Sequence, residues 1–146
     1  MAKKTKSKTR AGSGDGSFFV IFRVYARDLD PQEITEKLGI KPSTSWLRGV
    51  ETAATGKKIA RQYGQWNLIP PAGSGAAVIK RMEKLLSMIK PHSEVLKGIL
   101  KTAHADLNIV VRPGKDQAVM GTIFPAKLIG QFTDMGIDIR FGLHST

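Results

Sequence analysis

The chain has 146 residues with 41% hydrophobic content and no cysteine, enough apolar material for one core. The lack of cysteine excludes a disulfide framework, a thiolate zinc site and a cysteine nucleophile. Its formal net charge of +11 favours polyanionic partners, and no apolar run approaches the roughly 18–20 residues that cross a bilayer.

Residues 1–16 carry Lys3, Lys4, Lys6, Lys8 and Arg10 against Asp15, and run into the linker GSGDGS. This stretch buries too little apolar surface to offset its ordering entropy, so it reads as a disordered tail ahead of a single domain over 17–146. The same cations also suit an electrostatic arm for nucleic acid. The basic start leads into glycine and serine, not into an apolar segment, so it is not read as a secretory signal, and a cytoplasmic location is expected.

Phe18 to Tyr25 is rich in β-branched and aromatic residues, with apolar side chains on both alternating faces, which predicts a central strand. A short helix follows in DLDPQEITEKLGI. Asp30 is its N-cap, Pro31 its first residue, Glu33 completes a capping-box-like pattern, and Gly39 takes the left-handed stop with Ile40 folding back. Gln65 to Ile69 predicts a short strand, and Ser74 caps a long helix with Val78, Met82, Leu85, Leu86 and Ile89 on one stripe. Pro91 breaks or kinks it, and Ser93 opens another helix. Leu107, Ile109 and Val111 alternate as a strand, Ala118 to Phe124 pairs back as a hairpin, Pro125 opens a last helix stopped by Gly136, and Ile137 to Leu143 closes the chain as a strand.

The predicted order is β-α-β-α(α)-β-β-α-β. It implies an α+β fold with about five strands in a mixed, largely antiparallel sheet, covered mainly on one face by helices and partly ferredoxin-like. Asp30-Pro31 with Ile34, Leu38-Gly39-Ile40, Pro42, Ser45-Trp46, Gly49 and Gly64-Gln65-Trp66 resembles an uncharacterised bacterial family, domain of unknown function 4279. The resemblance runs from about Ser17 to His144 and is supported by the helix interrupted near Pro91. It implies an α+β domain and brings no reaction, cofactor or catalytic residue with it. The basic tail lies outside the family pattern.

Lys41 to Gly64 has no clear period, yet connections in compact domains have a median of roughly 4–6 residues. Its functional reading is an ordered loop on which Trp46, Tyr63 and Trp66 form an apolar floor and Arg48, Lys57, Lys58 and Arg61 supply anion contacts. In the competing reading the two indoles close the core and the cations are merely solvated. Within that reading, Glu51 to Ile59 forms an extra hairpin that adds sheet edge. The expected function is a non-catalytic binding module with an acidic protein partner. Nucleic acid stands second, since no RRM-type signature or zinc finger is present, and an enzyme stands third.

Other motifs fall away. Gly73 to Gly75 precedes a helix but lacks the lysine and hydroxyl ending of a phosphate loop. His92, His104 and His144 have no partner at metal-ligand spacing, so no metal or cofactor is expected; His92 and His104 read as helix-end residues. Ser43, Thr44 and Ser45 have no histidine or acid fixed beside them, and in the pair Asp28 and Asp30 the second is better used as a cap.

Overall fold

The structure, a computed structural model, describes residues 18–71, 77–111 and 123–143. Strand β1 (Phe18–Ala26) leads into helix α1 (Pro31–Leu38). Three short strands follow, β2 (Thr44–Trp46), β3 (Gly49–Thr52) and β4 (Lys58–Arg61), and then β5 (Gly64–Leu68). Helix α2 (Val78–Ile89) passes through a 3₁₀ turn (Lys90–His92) into α3 (Ser93–Ile99), and β6 (His104–Val111), α4 (Ala126–Asp134) and β7 (Asp138–Leu143) complete the order.

Five strands form one mixed sheet in the order β2-β5-β1-β6-β7, and β3 and β4 form a separate two-stranded sheet. All neighbours in the large sheet are antiparallel except β6 and β7, which are joined through α4 and run parallel. β1 is central, as its composition predicts. Its alternation decides which side is covered: Val20, Phe22 and Val24 are buried with Trp66, Leu68, Leu107 and Ile109 from the neighbouring strands. Ile34 and Leu38 of α1, the stripe Val78, Met82, Leu85, Leu86 and Ile89 of α2, Leu96 and Ile99 of α3, and Leu128 and Phe132 of α4 join this one cluster. The helices therefore cover one face. The opposite face, reached by Ile21, Arg23 and Tyr25 of β1, carries no described helix.

Local signals explain α1 completely. The Asp30 carboxylate accepts from the Gln32 amide at 3.0 Å, and Gly39 sits at φ 68° with its amide donating to the Thr35 carbonyl. Pro91 ends α2 by imposing the 3₁₀ turn.

Four expectations change. The segment 41–64 is not a long loop but holds three strands. The hairpin pairs Glu51 with Ile59 as the residue pattern allows, but stands as its own sheet and adds no edge to the main one. The described fifth strand of the main sheet is β2; the strand read at Ala118 to Phe124 lies mostly outside the described residues, and Ile123 and Phe124 are not in a strand. His104 opens β6 and is not a helix-end residue. The Ser74 cap, His144 and the basic tail also lie outside the described residues.

Candidate functional site

Register sorts the side chains of β2 and β5 onto two sides. Trp46 pairs with Gln65 and Ser45 with Trp66, so the two indoles point through opposite faces of the sheet. Trp66 is fully buried, meets Phe22 edge-on at 6.1 Å, and donates its Nε1–H to Thr35 Oγ1 at 3.0 Å. The expectation that Trp66 belongs to a contact floor is therefore corrected: it is core, because its parity along β5 matches Leu68. Trp46 is half-buried on the helix-free side, where the Arg61 guanidinium lies over its ring at 3.9 Å from the centroid.

The hairpin brings Arg61 there. β4 pairs Arg61 with Gly49, and Arg61 Nε also donates to Glu51 Oε1 at 3.0 Å, holding the guanidinium against the indole. Arg48 reaches back to Asp28 in the β1–α1 turn, with Nε and Nη2 on one oxygen at 3.1 and 2.9 Å. Asp28 is thus the ion-pair partner of Arg48, while Asp30 caps α1. The β1–α1 turn lies close to the start of β5, where a Cβ on Gly64 would come 2.8 Å from the Leu29 carbonyl carbon. Glycine is what permits that approach.

Between these parts runs an open groove of about 400 Å³ lined by Arg27, Arg48, Val50, Ala60, Arg61 and Tyr63. Tyr63 is 48% exposed and meets Tyr25 at 5.9 Å. Lys57 and Lys58 are exposed at the hairpin turn and do not line the groove. Arg27, Lys57 and Lys58 have no ion-pair partner among the described residues. The structure thus brings Trp46, Arg48, Arg61 and Tyr63 together, leaves Lys57 and Lys58 beside them, and removes Trp66.

Beyond the groove the helix-free face continues as rows of side chains. One row crosses four strands as Trp46, Gln65, Tyr25 and His104; the next runs Thr44, Asn67, Arg23, Asp106 and Asp138. Asp106 is 1% exposed, yet carries a charge. Arg23 grips it with two parallel bonds, Nε to Oδ1 at 2.8 Å and Nη2 to Oδ2 at 2.7 Å, and Arg140 Nε adds a third at 3.1 Å. The hydrogen bond to Asp106, followed by one to Tyr25, raises the Arg140 pKa above its ordinary value and keeps it charged. Gln65 donates to Asn67 and Asn67 to Thr44, so the amides of these rows are linked.

Sequence reasoning missed Tyr25, His104 and the Arg23–Asp106–Arg140 group. The available signal was strand parity, which assigns Arg23 and Tyr25 to the second face of β1 and makes Asp106 the polar neighbour of inward Leu107. The hydroxyls near Trp46 serve the backbone and the amides: Ser43 Oγ accepts from the Ile69 amide and Thr44 Oγ1 from Asn67. Among the described residues no helix is long and apolar enough to cross a membrane.

The arrangement defines an α+β domain with helices on one face, a second face that carries polar and aromatic rows and no described helix, and a hairpin beside it. The profile of the family described as "Domain of unknown function (DUF4279)" matches residues 16–146, and the chain belongs to that family. No curated protein and no solved structure gives a significant match.

Proposed function

We propose that the chain is a non-catalytic binding module that takes an acidic macromolecular partner at the hairpin groove and the face beside it. The observation that carries this reading is the convergence of Arg27, Arg48 and Arg61 on one open groove with Arg61 stacked on a half-exposed indole. Arg61 spends Nε on Glu51, and its remaining guanidinium donors, held on an aromatic face, lose little freedom when they meet an anion. Lys57 and Lys58 extend the positive surface along the hairpin, and the net charge of +11 speeds encounter with any polyanion.

Charge reversal separates a site from bulk charge. Arg48→Glu with Arg61→Glu, and Lys3→Glu with Lys4→Glu, change the net charge of the full chain equally. On a sulfated polysaccharide column the groove pair is expected to elute at clearly lower salt than the tail pair, with both folded by circular dichroism. Equal shifts for the two pairs would show that retention follows net charge alone and would remove the groove from the proposal.

A further inference from the structure

We infer that the acidic partner is a single-stranded nucleic acid, laid across the helix-free face with its bases on the row formed by Trp46, Tyr25 and His104. This rests on the reading of that face and its groove as the contact surface, and goes further by naming the chemistry of the partner. A purely acidic peptide needs cations and nothing else. Here rings are set side by side on the strands: Tyr25 and His104 lie 5.7 Å apart and tilted by only 33°, and Tyr63 stands edge-on to Tyr25 from the groove side. Strand spacing of about 4.8 Å puts Trp46 and His104 about 14 Å apart along the row, room for the two or three bases that open sheet faces bind by stacking.

Cations accompany the rings. Arg61 lies over Trp46, and Arg23 lies 5.8 Å from the centre of Tyr25. Arg27 and Arg48 line the groove beside Tyr63, where a phosphate backbone would run. Gln65 sits between Trp46 and Tyr25 and spends one side-chain N–H on Asn67, which leaves its other N–H and its carbonyl oxygen to meet a base edge. Asp106 is held by two arginines, while Asp138 in the same row on β7 carries an exposed negative charge that keeps the backbone toward the β2 and hairpin side. Bases must be unstacked to reach such rings, so a duplex does not satisfy the site.

The test uses the full chain with a fluorescent ten-nucleotide oligouridylate, the same sequence annealed as a duplex, and a poly-L-glutamate of matched charge as competitor. His104→Ala alters an exposed position and Trp46→Ala a half-buried one, both in the row that carries the bases, so at least one folded variant is available. The expected result is binding of the single strand, weaker competition by polyglutamate, and about a tenfold loss of affinity in either variant, the size of one lost base–aromatic stack. Polyglutamate competing as well as oligouridylate, duplex bound equally, or folded variants binding like the parent chain would overturn the nucleic-acid assignment while leaving an anion-binding surface. No binding of oligouridylate or polyglutamate at low salt would overturn both.

Discussion

Replacing Trp66 with alanine is expected to lower the free energy of unfolding by about 3–5 kcal/mol, the cost of emptying a large aromatic site in a core. The indole is fully buried among strands and helices, with Phe22 at its edge, and its N–H is satisfied by Thr35 of α1. Truncation therefore creates a cavity under the first helix and removes the indole donor from Thr35 Oγ1, which keeps only its bond to the Pro31 carbonyl. Trp46→Ala removes one face of a cation–π pair at a half-exposed site and is expected to cost only about 1 kcal/mol. Urea unfolding followed by circular dichroism separates the two. Equal losses would mean that both tryptophans are structural.

Asp106→Ala is expected to cost about 3 kcal/mol, the low end of what breaking a buried ion pair costs. Asp106 is the one charged residue buried among those described, and its three bonds tie β6 to β1 through Arg23 and to β7 through Arg140. Without the carboxylate, two guanidinium groups face each other across the empty position. Both retain some contact with water, their side chains being 23% and 57% exposed, which is why the loss falls at the low end of the range. Asp106→Asn keeps the shape and part of the hydrogen bonding and is expected to lose less. An alanine variant within about 0.5 kcal/mol of the parent, as for an ordinary surface position, would show that the group contributes no net cohesion.

The parts of the fold legible in the sequence are those whose signals are local. Asp30, Pro31 and Gly39 write out α1 within ten positions, and apolar residues on both faces of Phe18 to Tyr25 place β1 at the centre of the sheet. The hairpin was half legible: Glu51 does pair with Ile59 and Gly56 does turn the chain at φ 86°, but nothing local says that the two strands stay apart from the main sheet. The candidate site was half legible for the same reason. Trp46, Arg48, Arg61 and Tyr63 stand out by composition. Whether Trp66 joins them depends on the pairing of β2 with β5, a register fixed by distant contacts, and a shift of one residue would exchange its face. Asp106 shows the limit most clearly, since Arg23 lies 83 residues away and Arg140 lies 34 away. Tyr25 and His104 become neighbours only once β1 and β6 are paired.

The most direct test of the binding surface is an NMR titration of the uniformly ¹⁵N-labelled full chain with single-stranded oligouridylate. The largest shifts are expected at the Trp46 indole N–H and the amides of Tyr25, Tyr63, Arg61 and His104, with the Trp66 indole and the cores of α2 and α4 unmoved. Shifts confined to residues 1–17, or centred on the helix-covered side, would contradict the assignment of the open sheet face and its hairpin as the place where a partner binds.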